Sequence, residues 1–296
     1  MPEQLNVYNY VNILAFGLSW VLNSAVADRP GEEIWFFNGI RELQRQYESI
    51  VNPIALTYLM AHLVLLLEGV FTVTQLLPKF RSSIMVQESV QYWFLASAVS
   101  QFLWSIFLGI DAMWASFLSV VAMAGLFVSV TKILMNQAAA SDTSQTPEEY
   151  WLLRFPFSVH FGWAFSVLLM AINGFFVQLE MGVAFQFTLG FISLVAFGGV
   201  AYKMLFMNGP HPNYAVPAVT SWVLIGIALT EQGPKVNFEG WADTIFDGFA
   251  ALLGIGMTIT TGYIYYTKEY KGKELSNSIN ENDDTVYVSA PEGAMA

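Results

Sequence analysis

Ionisable side chains inside two apolar segments are the groups of this chain that could do chemistry. Glu68 lies in the apolar segment at about Ile54–Leu77, where a carboxylate facing lipid costs about 2.5–3.5 kcal/mol. It must therefore face other helices or carry a proton. His62 lies six residues earlier, about 600° around a helix, so the two side chains point to different faces and form no obvious relay pair. His160, in a second apolar segment, lies one turn before Trp163.

Three kinds of chemistry are open to these groups. They could hydrogen-bond a ligand, take part in a proton step or, for a histidine, coordinate the metal of a tetrapyrrole. The alternative is a purely structural hydrogen bond from each histidine to a neighbouring helix. Because Glu68 is the only central intramembrane charge, an ion pathway, which usually needs several aligned charges, has little support.

Aromatic side chains are the second chemical feature, with 9 Trp, 13 Tyr and 24 Phe. Trp104, Trp163 and Trp222 are expected to lie deep in apolar segments, where each indole N–H needs a partner. Flat aromatic walls with a few polar anchors suit a planar apolar ligand. Packing between helices is the alternative explanation for the same residues.

Motifs for other chemistry are missing from the sequence. The chain has no Cys, which excludes thiolate ligands and Cys nucleophiles, and it has no His-x-x-His or Glu-x-x-His pattern. It has no phosphate loop and no nucleophile elbow. We therefore predict no catalytic residues and no metal ligands, and rank last an enzyme using Glu68 and a histidine as acid–base groups. The net charge of −11 argues against nucleic-acid binding.

The composition decides which elements must position these groups. Of the 296 residues, 55% are hydrophobic and only 12% are charged, about half the charged fraction of a soluble domain. This predicts an all-α polytopic membrane protein, because about 20 apolar residues cross the bilayer as a helix. Eight segments qualify: about Tyr8–Ala27, Ile54–Leu77, Val90–Ile110, Met113–Met135, Phe155–Val177, Met181–Leu205, Tyr214–Leu229 and Thr244–Tyr266. The third and fourth segments are so closely joined that we expect an antiparallel hairpin.

The positive charges predict the orientation of the chain. With eight spans both termini lie on one side of the membrane, and that side collects 8 of the 12 Lys and Arg residues. We therefore place both termini in the cytosol or its topological equivalent, without identifying the membrane. Ala25-Val26-Ala27 is similar to a signal cleavage site, but the first eight residues lack Lys and Arg, so we favour a retained first helix.

Three segments outside the spans have their own patterns. Apolar residues at helical spacing predict an amphipathic helix at about 33–51 that lies at the interface. Residues 138–149 read as a polar linker, in which Thr146 would be the N-cap of the next helix and Pro147 its first residue. The acidic tail at 268–296 is predicted to be disordered.

Short motifs in the third and fifth spans resemble a known family. Gln101-Phe102-Leu103-Trp104-Ser105 is similar to the Asn-x-x-Trp-Ser stretch in the third helix of the TspO/MBR family, the tryptophan-rich sensory proteins or translocator proteins. Leu153–Trp163 resembles the fifth helix, and its Pro-Phe-Ser-x-x-x-Gly-Trp pattern resembles the longer bacterial and algal members. Asn52-Pro53 corresponds in position to the family's Trp-x-Pro-Pro. The resemblance covers about residues 5–176.

The resemblance implies a five-helix unit over 1–177, with three further transmembrane helices over 178–267. It also implies an interior pocket that binds, senses or transports a planar lipophile such as a tetrapyrrole or a sterol, rather than catalysis. Trp104 and Trp163 would line this pocket and Gln101 would offer an amide. We add Glu68 and His160 as ligand-binding candidates because of their burial cost.

The expected partners are membrane lipid and the small molecule, with a homo-oligomer or larger membrane complex also open. No cofactor is identified by the sequence, although a tetrapyrrole is one candidate ligand. The alternative is a structural or interaction subunit of a membrane assembly, without ligand chemistry of its own.

Overall fold

The described part of the computed structural model is built from helices. It describes residues 5–26, 48–141, 146–207, 212–230 and 240–271, and within these ranges there is no strand. Its main helices are α1 (Val7–Val26), α2 (Leu59–Thr74), α3 (Trp93–Leu108), α4 (Met113–Ser141), α5 (Phe155–Gln178), α6 (Val183–Phe206), α7 (Ala215–Ala228) and α8 (Gly240–Tyr265). A 3-10 turn at Ala55–Tyr58 leads into α2, and a π-helical turn at Tyr150–Arg154 leads into α5.

Among the described residues, five helical segments are long and apolar enough to cross a membrane: Ala55–Thr74, Met113–Ala140, Pro147–Gln178, Val183–Phe206 and Gly240–Lys268. The chain is thus a polytopic α-helical membrane protein, as predicted. Helices α3 and α7 are apolar but have 16 and 14 residues, or about 24 and 21 Å of length. These lengths fall short of the roughly 30 Å hydrocarbon core, and α1, with 20 residues, is not among the five segments either, so the number of eight crossings remains a prediction.

Helices α3 and α4 form the predicted hairpin. They are joined at Gly109–Ala112 and pack along each other more extensively than any other pair of described helices. Gly125 of α4 lies so close to α3 that an added Cβ would be 3.0 Å from the Ser100 hydroxyl. The tight turn therefore brings the two helices into direct side-by-side contact.

The predicted linker at 138–149 is only partly correct. Helix α4 continues through Ser141, because the alanines at 138–140 have the highest helix propensity of any residue. Thr146 is the N-cap of the next helical segment, as predicted, and forms a capping box with Glu149, with Pro147 in the first turn. The exposed ion pair of Lys79 and Glu148 holds the segment after α2 beside the start of the α5 segment.

Helix α5 is the centre of the bundle. About 72% of its 18-residue apolar stretch is buried, against 22–44% of the corresponding stretch in each of the other four long spans. It contacts α2 and α4 on one side, and α6 and α7 on another. A helix covered on several faces needs apolar residues all round, which explains why this segment has little amphipathic character.

Helix α7 is held against α5 and the start of α2 by close contacts. A Cβ on Gly162 would lie 2.9 Å from the Val219 side chain, so only glycine permits this approach of α5 and α7. The Gly226 carbonyl accepts a hydrogen bond from the Ile54 N–H (3.1 Å), and the Thr230 hydroxyl donates to the Asn52 carbonyl (3.0 Å). The chain after α5 therefore packs onto the earlier helices.

Helices α6 and α8 are much less buried than α5. Only 22% and 28% of their 18-residue apolar stretches are buried, and large apolar side chains such as Ile192, Val195, Leu252 and Ile259 are exposed. In a polytopic membrane protein such surfaces contact lipid.

Several predictions lie outside the described residues. They are most of the amphipathic helix at 33–51, the tail beyond residue 271, and the end of the cleavage-like sequence at Ala27.

Candidate functional site

A cavity of about 240 Å³ lies between α2, α3, α4 and α5. All five candidate residues from the sequence line it: Glu68 from α2, Gln101 and Trp104 from α3, and His160 and Trp163 from α5. These side chains come from three helices far apart in sequence, and the packing of α5 against α2 and α4 brings them together. Their role in binding a ligand remains a prediction.

A buried Glu–His pair lies at one end of the cavity. Nδ1 of His160 is 2.7 Å from Oε1 of Glu68, and the two side chains are only 4% and 2% exposed. Within the described ranges neither atom has a hydrogen-bond partner of acceptable geometry, so the contact is close but not a well-aligned hydrogen bond. An isolated buried charge is costly, and the short contact gives each of these two side chains a polar neighbour.

Helix packing decided this pairing. The sequence placed His62 and Glu68 on different faces of α2, but gave no means of finding the partner of Glu68. His62 does not line the cavity. His160 approaches from α5, so the buried carboxylate is matched across a helix interface rather than along its own helix.

Aromatic rings form part of the cavity wall. Trp163 is 8% exposed and meets the ring of Tyr58 edge to face, with centroids 5.9 Å apart and an interplanar angle of 88°. The indole Nε1 of Trp104 is buried and has no hydrogen-bond partner among the residues that the structure describes. A donor in this state can be satisfied by an acceptor atom of a bound molecule.

Trp222 does not share this environment, although its position in an apolar segment suggested depth. It is 39% exposed on α7 and does not line the cavity. The residues of α7 that face the core include Val216, Val219 and Val223, which lie at helical spacing. Trp222 lies between Val219 and Val223 in the sequence but is on a more exposed face of α7. The position of a residue along a span does not determine which face of the helix it occupies.

The cavity is elongated along α5. Its lining on this helix includes Val167, about two turns after His160, and Gly174, about two turns after Val167. The lining begins at His160 and ends at Gln178. These 18 residue steps correspond to about 27 Å of helix. At the far end Asn52 and Gln178 supply polar groups, and the Gln178 Oε1 is buried without a hydrogen-bond partner among the described residues.

Sequence reasoning missed several lining residues. They are mostly apolar or small, and include Tyr58, Ser119, Met123, Met170 and Gln178. The signal for those on α5 was available, because they follow His160 and Trp163 at intervals of three and four residues. Nothing in the sequence marked the contributions of α4, whose facing side chains depend on the hairpin with α3.

The described lining contains an acidic side chain but no Lys or Arg. Among the described residues that line the cavity none is Lys or Arg, and Glu68 supplies the carboxylate. The rest of the wall is mainly apolar, with amides, hydroxyls and indoles as polar groups. Nor do the described residues contain a cluster of three His, Asp or Glu that could hold a metal ion.

Comparison with known proteins agrees with this architecture. A sequence model of the TSPO-like protein family matches residues 9–263, which includes α6, α7 and nearly all of α8. The match thus extends beyond residue 176, where the resemblance of the short motifs ended. A search of curated proteins and a search of solved structures each found no match. Because the family match covers most of the chain, the protein belongs to the TSPO-like family of membrane proteins.

Proposed function

We propose that this protein binds a planar hydrophobic ligand in the cavity between α2 and α5, and that it senses or transports this ligand. The observation that carries the proposal is the meeting of Glu68, Gln101, Trp104, His160 and Trp163 around one apolar cavity. An apolar wall with a few convergent polar groups is the usual form of a small-molecule site. Membership of the TSPO-like family supports a membrane protein of this kind.

The dimensions of the cavity favour a slender ligand. Its volume of about 240 Å³ lies below the roughly 300–1,000 Å³ of typical small-molecule sites. The lining extends over about 27 Å of α5, so the space is long rather than broad. A sterol-like molecule matches this shape better than the wide disc of a tetrapyrrole, which would require the helices to separate.

The polarity of the wall also favours a sterol-like ligand over a tetrapyrrole. Carboxylates of a tetrapyrrole would need basic partners, and the described lining offers neither Lys nor Arg. A hydroxyl or carbonyl group can instead meet the Trp104 N–H or the amide of Gln101. These two residues lie about one turn apart on α3, so they can contact the same ligand group.

We further propose that Glu68 and His160 bind and orient the ligand rather than catalyse a reaction. The two side chains lie 2.7 Å apart at the cavity wall, and the rest of the wall is suited to holding an apolar body. The competing idea of a purely structural subunit does not account for a cavity at whose wall the Trp104 indole N–H has no partner among the described residues.

Binding can be tested with a fluorescent sterol. We expect dehydroergosterol to show saturable energy transfer from tryptophan in the detergent-purified protein, while protoporphyrin IX binds more weakly. Ala171→Trp, which fills the cavity from α5, should reduce saturable sterol binding at least tenfold. Ala184→Trp is the matched control because Ala184 is exposed on α6. Linear, unsaturable transfer, unchanged by Ala171→Trp, would refute the proposed function.

A further inference from the structure

We infer that the cavity contains a subsite for a protonated amine, with Glu68 as its counter-ion. The inference rests on the proposed function and specifies the chemistry of the ligand: a hydrophobic body that carries one ammonium group. The subsite lies where α2 meets α5, at the end of the cavity marked by Glu68 and His160.

The first argument is charge. The Glu68 side chain is only 2% exposed, and no Lys or Arg is found among the described residues lining the cavity. A buried carboxylate is stabilised by a cation that makes a short contact with it. Since the described wall contains no permanent cation, an ammonium group of the ligand can meet this need and a carboxylate of the ligand cannot.

The second argument is the state of the pair itself. Glu68 Oε1 lies 2.7 Å from His160 Nδ1, yet neither atom has a well-aligned hydrogen bond within the described ranges. The carboxylate therefore keeps an unused acceptor. An ammonium group of the ligand can donate a hydrogen bond to this acceptor.

Titratable and charged groups on the surrounding elements are few. Tyr58, on the turn before α2, lines the cavity, whereas the α3 and α4 lining contributes amide, indole and hydroxyl groups. Arg154, on the π-helical turn that packs against α2, is buried but does not line the cavity. Besides Tyr58, Glu68 and His160 are therefore the ionisable side chains of the described lining.

The third argument is the aromatic wall. Trp104, Trp163 and Tyr58 line the same cavity, and the faces of such rings attract a cation within about 6 Å of the centroid. Of these rings, Trp163 lies about one turn after His160 on α5, whereas Tyr58 lies ten residues before Glu68, so Trp163 is the ring nearer along its helix to the subsite. The same rings accept the apolar body of the ligand.

Three probes with one skeleton test the charge preference. They are 2-naphthylmethylamine, 2-naphthylmethanol and 2-naphthoate, which differ chiefly in the charge of the head group. Their affinities for the full chain are measured by isothermal titration calorimetry in an uncharged detergent at neutral pH. We expect the amine to bind about 10-fold or more tightly than the alcohol, and naphthoate to bind more weakly than the alcohol.

Glu68→Gln should lower the ratio of amine affinity to alcohol affinity from about 10-fold or more to about threefold or less, whatever its effect on the affinity of each probe alone. Retained binding of the alcohol shows that the variant cavity is intact. Glu88→Gln is the matched control, because Glu88 is exposed and does not line the cavity; it should keep the full preference. This control separates the local effect of Glu68 from the general attraction of a chain with net charge −11 for cations.

The possible failures are distinguishable. If the alcohol binds saturably but the amine binds no more tightly, the amine subsite is wrong and the proposed function stands. If Glu68→Gln fully retains the preference for the amine over the alcohol, the amine subsite is likewise wrong and the proposed function stands. If no probe binds the wild-type chain saturably and the sterol also fails, the proposed function itself is wrong. The wild-type comparison does not depend on the folding of any variant.

Discussion

Replacing the buried Glu68–His160 pair in single and double variants tests whether the two side chains depend on each other. The structure places them 2.7 Å apart with exposures of 2% and 4%. Removing one member of such a pair leaves the other without its partner, which typically costs about 3–5 kcal/mol. We expect His160→Leu to lower the free energy of unfolding by about 3 kcal/mol, the lower limit of this range, because the contact is not a well-aligned hydrogen bond.

The double variant supplies the decisive value. Glu68→Leu combined with His160→Leu removes both polar groups and fills their space with apolar atoms, so its stability should be close to that of the wild type. The two single losses would then not add, and the coupling energy should exceed about 2 kcal/mol. The assay is unfolding of the purified protein in mixed micelles by a denaturing detergent, followed by tryptophan fluorescence. Additive losses, with the double variant least stable, would refute the assignment of a coupled pair.

Two further predictions concern the packing of α7 against α5. Gly162→Ala should destabilise the protein by about 1–3 kcal/mol in the same assay, since its Cβ would lie 2.9 Å from Val219. Gly199→Ala should be neutral or slightly stabilising, because its Cβ would meet no described neighbouring residue within 4 Å. Equal effects of the two alanines would contradict the close approach of the helices. Asn213→Ala should cost about 1–3 kcal/mol, because Asn213 donates to the Ser158 hydroxyl (2.9 Å) and accepts backbone N–H groups at the start of α7. An unchanged unfolding midpoint in this variant would show that the link between α5 and α7 is dispensable.

Much of the architecture follows from local sequence. The low charge and long apolar segments predicted a helical membrane protein, because backbone groups in lipid must be satisfied within each segment. Thr146 and Pro147 predicted where the α5 segment begins, since an N-cap and a first-turn proline act through their immediate neighbours. The end of α4 was placed too early because its alanines were read as a linker. The motif around Trp163 indicated the family, which the match over residues 9–263 confirms.

Burial cost also selected Glu68 and His160 as candidates, since each is a polar group in an apolar segment. That argument depends only on the residue and its segment. The argument could not show that Glu68 and His160 contact each other, because this contact depends on the rotation of α2 and α5 about their axes. The same limit applies to Trp222, whose depth was inferred from its segment but whose exposed face is fixed by the contacts of α7.

The sequence by itself determined that this chain is helical, lies in a membrane and contains a few costly polar groups, because these properties are sums over local residues. Only the tertiary structure decided which of those groups share a cavity. Helix rotation and crossing are set by side-chain packing between distant segments, such as Gly162 against Val219, and this information is not local in the chain.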